Sequence, residues 1–162
     1  MLPDWLDPKL DLRGTLSENY DQLYDIFCRT LLDLSGVIVD GKTVHVDTNK
    51  DKVSPAYDCS FIHFISHGIN DDVRAIDFER APKLHWIRPI LEHYLDVGVR
   101  SFWYTRYDGD ALHLWLHEHD FLIVLKEDRR QNGNIIVTAH AVGNYKRKQL
   151  QKQYDTSNRK LN

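Results

Sequence analysis

Four strand-like segments follow one another between residues 100 and 142, and only a few residues separate each segment from the next. They cover 100–107, 111–117, 121–127 and 134–142. Short connections join antiparallel neighbours, because a parallel neighbour needs a long crossover. This stretch therefore predicts a four-stranded antiparallel β-meander, the feature that most limits the folds open to the chain.

Helical and turn signals surround the meander. Thr15 and Glu18 form a capping box ahead of apolar residues at helical spacing, which predicts a helix over about 17–34. Asp40-Gly41 lies between two short apolar runs and predicts a tight hairpin. Two further helical segments are expected, one starting near Asp77 and one over about 144–154.

These elements predict an α+β fold. We expect the four-stranded antiparallel β-meander to carry helices packed on one face, with an N-terminal helix and a β-hairpin added to it. The 162 residues fit a single domain. It would comprise an irregular arm (1–15), the helix and hairpin (16–54) and a core (55–155).

The charge is distributed unevenly along the chain. From residue 143 onwards there are six basic residues and one acidic residue, a net charge of about +5 on a chain whose total is -3. Such a patch indicates contact with a polyanion, for which Lys146, Arg147 and Lys148 are the candidates. The alternative is an ordinary solvated helix.

Side-chain alternation adds a polar sheet face to this picture. His113, Trp115 and His117 share one face of their strand, and Ile136, Thr138 and His140 share one face of another. If the strands align, this face lies opposite the helices and is open to RNA. Trp115 would stack on a base, His113 would contact the RNA, and Arg100 or Arg106 would hold a phosphate.

Histidines on such a face suit proton transfer near neutral pH. Cleavage of RNA needs a base for the 2′-hydroxyl, an acid for the leaving oxygen and cations for the phosphate. The segment from His113 to Asp120 also offers imidazoles and carboxylates to a metal, but it is interpreted as a polar hairpin tip, and no metal site is expected. A Cys59–His63 nucleophile pair is a weaker alternative to a buried thiol.

Three stretches carry a family resemblance: S-F-I-H-F-I-S at 60–66, D-F-E-R-A-P-K-L-H-W-I-R-P-I-L at 77–91, and I-I-V-T-A-H-A-V-G-N-Y-K-R-K-Q-L at 135–150. Together they resemble phage-associated domains of the barnase–EndoU–colicin–RelE-like ribonuclease superfamily. The resemblance covers about residues 55–155 and implies a compact antiparallel sheet and RNA cleavage without a metal.

The resemblance also implies roles for individual residues. His63 matches the histidine of F-x-H as a general acid or base, and Arg80 matches a phosphate-binding arginine. Thr138 matches the threonine of the last strand, and His140 stands where the pattern usually has tyrosine. Structural alternatives are a buried histidine for His63, a helix ion pair for Arg80 and a core position for Trp86.

The sequence thus predicts a metal-independent endoribonuclease, similar to a toxin or phage effector, that works through a 2′,3′-cyclic phosphate and needs no cofactor. His63, Arg80, Thr138 and His140 are the predicted catalytic residues. Expected partners are RNA and a protein inhibitor or antitoxin, with no membrane. The two cysteines and the N-terminus without an apolar signal segment favour the cytoplasm. The alternatives are a non-catalytic RNA- or protein-binding module and an immunity-type protein whose acidic surface binds a partner.

Overall fold

The structure, a computed structural model, describes residues 1–70 and 72–162. The helices are α1 (Leu16–Thr30), α2 (Cys59–Ile65), a 3₁₀ helix (Ala81–Trp86), α3 (Ile87–Glu92) and α4 (Asn144–Thr156). The strands are β1 (Ile38–Val39), β2 (Lys42–His45), β3 (Ser66–Asn70), β4 (Val73–Ile76), β5 (Val99–Arg106), β6 (Gly109–Leu116), β7 (Phe121–Asp128), β8 (Gly133–Ala141) and β9 (Arg159–Lys160). Among the residues described, no helix is both long and apolar enough to cross a membrane.

The main sheet has seven strands in the order β1-β2-β8-β7-β6-β5-β9 and curls into a half-barrel, while β3 and β4 form a separate hairpin. The α+β class is confirmed, and β5–β8 form the predicted meander. The prediction of a four-stranded sheet is wrong. Strand β2 pairs in parallel with β8, and β9 pairs antiparallel with β5. These pairings join segments about 90 and 60 residues apart, so no local pattern reveals them.

Helices cover both faces of the sheet, so the prediction of helices on one face is also wrong. Side chains of α1, α2, the 3₁₀ helix and α3 form the larger core with one face. On the other face, Leu150 and Tyr154 of α4 pack against Phe102, Trp115 and Leu122. Leu150 and Tyr154 lie one helical turn apart, and this short apolar stripe is hidden in a strongly basic segment.

Two local predictions are confirmed in detail. The Thr15 hydroxyl accepts a hydrogen bond from the Glu18 amide at 3.2 Å and caps α1, although the helix ends at Thr30 rather than near residue 34. In the hairpin turn, Asp40 and Gly41 both have positive φ angles (50° and 77°), as a type I′ turn requires. The segment 61–67, which the pattern left undecided, divides between α2 and β3.

A β-bulge at Val137 changes the faces of β8. Leu125 pairs with Ile136 and Val124 pairs with Thr138, so Val137 is an extra residue on β8. Ile136 therefore turns into the larger core, whereas Thr138 and His140 lie on the α4 face beside Val124 and Leu122. The sequence predicted one common face for Ile136, Thr138 and His140. This prediction is wrong for Ile136, which lies on the opposite face.

The parallel β2–β8 pairing leads to a prediction for Gly133. A Cβ atom at this position would lie 2.8 Å from the backbone oxygen and 2.7 Å from the hydroxyl of Thr43. Because that backbone belongs to β2, Gly133→Ala should lower the free energy of unfolding by about 1 to 3 kcal/mol. Urea denaturation of the variant and the wild-type protein measures this change in the free energy of unfolding. Gly36→Ala is the matched control, since nothing lies within 4 Å of its Cβ position. Equal stabilities of the two variants would contradict the pairing.

A second prediction concerns the acid stability of the α4 face. Burial lowers the pKa of His113 to about 4, although the hydrogen bond to the Ala111 carbonyl opposes the shift. Between pH 6.5 and 4, His113 is protonated in the unfolded chain but stays neutral in the folded chain. The free energy of unfolding therefore falls as the pH falls. From pH 7 to 4.5 this histidine should contribute about 2 to 3 kcal/mol of that loss.

His113→Leu removes this contribution, and urea denaturation at the two pH values measures the difference. Val124→Ala is the control, because Val124 pairs with His113 across the strands and does not titrate. It should lower stability equally at both pH values. An unchanged pH dependence in His113→Leu would refute the assignment.

Candidate functional site

His140 and Thr138 stand at the centre of the candidate site. Both are half-buried on the α4 face of β8, and the Thr138 hydroxyl lies 3.0 Å from Nδ1 of His140. This hydrogen bond fixes the imidazole and leaves Nε2 as the nitrogen that can exchange a proton with a ligand. When Nδ1 carries the proton and donates to Thr138, Nε2 has the free lone pair that a general base needs.

Three cations act electrostatically on His140: Arg80, Lys146 and Arg106. Burial, together with the positive charges of the three cations, lowers the pKa of His140 to about 4, and the charge of Asp77 partly opposes the shift. The imidazole is therefore neutral at pH 7. We call Thr138, His140, Arg80, Arg106 and Lys146 the His140 site.

Arg106 and Lys146 reach the site from different elements. Arg106 is the last residue of β5, and Lys146 lies in the first turn of α4. Burial and the charge of Arg106 lower the pKa of Lys146, and both cations lower the pKa of His113 below them. The site is thus a positively charged strip of the sheet face beside α4, and such a strip attracts phosphate.

Arg80 connects the His140 site to α2. Its Nη1 donates hydrogen bonds of 2.8 Å to the carbonyl oxygens of His63 and Ser66, so it caps the end of α2. Its Nε is buried and has no hydrogen-bond partner in the described part of the chain, and the nearest carboxylate oxygen, on Asp77, is 3.7 Å away. Arg80 therefore has a structural role as the cap of α2, and its guanidinium is still incompletely hydrogen-bonded.

His63 lies in the last turn of α2 with an exposed side chain. Partial burial and the charges of Arg74 and Arg80 lower its pKa, and Asp51 opposes the shift. The fold packs α2 against β8, and the charge of Arg80 lowers the pKa of both His63 and His140. This packing leaves His63 at the α2 side of Arg80 and His140 at the β8 side.

Trp115 and His113 share the α4 face as predicted, but that face is not open. Each is only 2% exposed. Arg100 lies over the Trp115 ring with its Cζ 5.4 Å from the ring centroid, and His113 stacks on Phe102 at 5.0 Å. The open stacking surface expected here is covered by α4, so we leave both residues out of the proposed site.

The three consecutive cations of α4 separate around the helix. The charge of Lys146 acts on His140, whereas Arg147 and Lys148 line a groove of about 410 Å³ with Arg100, Trp115, His117 and Gln151. Arg147 also forms an ion pair with Asp120. Residues one apart on a helix point about 100° apart, which is why a continuous basic run does not make one surface.

Two further predicted features have structural roles. Trp86 is buried in the larger core and donates a hydrogen bond of 2.8 Å to the Asp7 carbonyl. In the hairpin tip at 117–120, His119 contacts the carbonyl oxygen of Met1 at 3.0 Å. Within residues 1–70 and 72–162, no three His, Cys, Asp or Glu side chains are grouped as metal ligands would be.

Sequence reasoning missed Asp77 and His67 as part of this region. The Asp77 carboxylate lies 3.3 Å from Nδ1 of His67 as well as near Arg80. The spacing of Asp77 and Arg80, three residues apart, was a usable signal for that pair. The position of His67 was not predictable, because the β3–β4 hairpin that carries it was not recognised.

Comparisons of the chain with protein-family models, with curated proteins and with solved structures each found no match. The ribonuclease resemblance therefore stays a prediction. The function of the chain has to be inferred from the chemistry of the residues in the His140 site.

Proposed function

We propose that the chain is a metal-independent endoribonuclease with the His140 site at its centre. The observation that supports this most is the neutral imidazole of His140, which contacts Thr138 through Nδ1 and whose pKa is lowered by burial and by the charges of Arg80, Lys146 and Arg106. A base that is unprotonated at pH 7 and lies among cations suits an anionic substrate whose hydroxyl must lose a proton.

In the proposed reaction, Nε2 of His140 removes the proton of a ribose 2′-hydroxyl. The 2′-oxygen then forms a bond to the adjacent phosphorus, and the bond from phosphorus to the 5′-oxygen breaks. His63 donates a proton to the departing 5′-oxygen, and the products are a 2′,3′-cyclic phosphate and a free 5′-hydroxyl. A bound phosphate raises the pKa of a nearby histidine, which favours the protonated form that His63 needs.

The cations have separate tasks in this proposal. Arg106 and Lys146 bind the phosphate, because the charges of both act on His140 and neither is engaged in capping α2. Arg80 is a positioning residue, since its Nη1 is engaged by two α2 carbonyls and its charge acts on both histidines. Lys148 and Arg147, in the groove on the other side of α4, serve the RNA backbone beyond the scissile phosphate.

A non-catalytic RNA-binding module is the second candidate. It is favoured by the engagement of Arg80 in capping α2, because a residue devoted to the scaffold leaves fewer cations for the transition state. In this case a protein inhibitor or antitoxin would have no activity to suppress. The two candidates differ in whether bound RNA is cut.

The first functional prediction concerns His140. His140→Ala should lower the rate of RNA cleavage in EDTA by roughly 10²- to 10⁴-fold, because it removes the general base. Thr138→Val should lower the rate less, since the imidazole remains but loses its orienting partner. End-group analysis of the products should show a 2′,3′-cyclic phosphate for the wild-type protein.

His119→Ala is the matched control, because His119 contacts the Met1 carbonyl away from the His140 site and should leave the rate unchanged. Full cleavage by His140→Ala would refute the assignment of the base. Tight RNA binding by the wild-type protein without any cleavage would favour the binding module.

The second functional prediction is a pH profile. With His63 as the acid and His140 as the base, kcat/KM should fall at high pH, where His63 has lost its proton, and should rise as the pH increases through about 4, because only the neutral imidazole of His140 accepts a proton. Lys146→Met removes a neighbouring positive charge, so it should raise the pKa of His140 and move this limb to higher pH. NMR titration of the His140 ring gives the same shift independently of activity. A limb that stays in place would contradict the proximity of Lys146.

A further inference from the structure

Lys83 is a buried lysine without a counter-ion. The residue is only 8% exposed, although lysine is almost never buried to this degree unless an anion pairs with it. In the part of the chain that the structure describes, its ammonium group forms neither an ion pair nor a hydrogen bond. The group lies over the ring of Trp86 instead, with Nζ 5.5 Å from the ring centroid. A buried charge without a partner costs stability, and an anion that bound to it would offset that cost.

The carboxylates near Lys83 do not pair with it. Three of them raise its pKa electrostatically: Glu79, Asp120 and Asp77. Asp77 and Asp120 form ion pairs with arginines instead. The pKa of Lys83 is nevertheless lowered, mainly by burial and in part by the charge of Lys9. The surroundings of the ammonium group therefore favour one more negative charge.

A pocket of about 330 Å³ lies beside Lys83 and Trp86, which both line it. These two residues belong to the 3₁₀ helix and are three positions apart, which is one turn of such a helix, so their side chains are neighbours. The irregular arm at residues 1–15 supplies three further lining residues: Leu2, Pro8 and Lys9. The pocket thus combines two lysine side chains with apolar and aromatic surface.

The arm is held in place around this pocket by side-chain rings. Three ring nitrogens lie next to carbonyl oxygens of the arm: Nε1 of Trp86 at Asp7 (2.8 Å), Nε2 of His85 at Pro8 (2.8 Å) and Nε2 of His119 at Met1 (3.0 Å). The lining from the arm is therefore in position before a ligand arrives. A preformed pocket loses little conformational freedom when it binds a ligand.

We propose that this pocket binds a small organic carboxylate, whose anionic group pairs with Lys83 and whose apolar body lies against Leu2 and Pro8. A carboxylate supplies the missing counter-ion through a charge-assisted hydrogen bond. The volume is at the lower end of the range for ligand pockets, which suits an acid with a single ring. The pocket shares no residue with the His140 site, so this inference does not depend on the proposed function.

The test uses benzoate as the probe and two matched compounds. Benzamide has nearly the shape of benzoate without the charge, and acetate has the charge without the ring. Binding to the wild-type protein is measured by NMR titration, with the indole N–H signal of Trp86 as the reporter at the pocket. Benzoate should shift this signal, and both matched compounds should bind at least about 10-fold more weakly.

Lys83→Met keeps the length of the side chain and removes its charge. It should weaken benzoate binding by about 10- to 100-fold. The exposed Lys9 contributes less, so Lys9→Met should weaken binding by only about 2- to 5-fold. Lys52→Met is the matched control, because Lys52 is an exposed lysine that does not line the pocket, and it should bind benzoate like the wild-type protein.

A second measurement needs no variant. NMR titration of the Lys83 side chain in the wild-type protein should show a higher pKa with benzoate than without it, because a carboxylate stabilises the ammonium form. The proposal is overturned if benzoate leaves this pKa unchanged, if benzamide binds as tightly as benzoate, or if a folded Lys83→Met protein keeps full affinity for benzoate.

Discussion

The β-bulge at Val137 is the constraint on which the arrangement of the site depends. It shifts the alternation of β8 by one residue between Ile136 and Thr138. Ile136 therefore completes the larger core, while Thr138 and His140 face the opposite side of the sheet. A regular strand would place Ile136 on the same face as Thr138 and would leave either an apolar residue in the polar strip or a histidine in the core. An added residue on one strand is a common way to redirect side chains at functional sites.

Helix α4 then decides how much of that face remains available. Leu150 and Tyr154 bury Phe102 and Trp115, and His113 becomes a buried neutral side chain. The first turn of the same helix carries Lys146, whose charge lowers the pKa of His140. Helix α4 thus both packs apolar side chains against the sheet and carries a cation of the site. The polar strip that results is narrow, and its groups strongly influence each other.

Electrostatics at the His140 site follow from this crowding. A half-buried imidazole among three cations stays neutral at pH 7, because protonation would add a fourth positive charge in a poorly solvated place. An anion bound there would relieve that repulsion and stabilise the protonated imidazole. This repulsion and its relief by an anion are the physical basis of the function proposed above.

The elements with local signals were predictable. The capping box at Thr15, the Asp40-Gly41 turn and the four meander strands all appear near their expected positions. Thr138 and His140 also lie on one face of β8, as strand alternation indicates. The β3–β4 hairpin was missed because its short strands carry exposed and half-exposed side chains without a clear alternation.

What the sequence determined by itself was the four meander strands, the Asp40-Gly41 turn, the cap of α1 and the chemical character of the residues at the His140 site. Only the tertiary structure decided that β2 and β9 extend the sheet, that α4 covers Trp115 and His113, and that Lys146 separates from Arg147 and Lys148. The physical reason is that hydrogen bonds in a turn or a cap join residues close in sequence. Strand pairing and helix docking instead join distant segments, through shape and buried area that no local pattern contains.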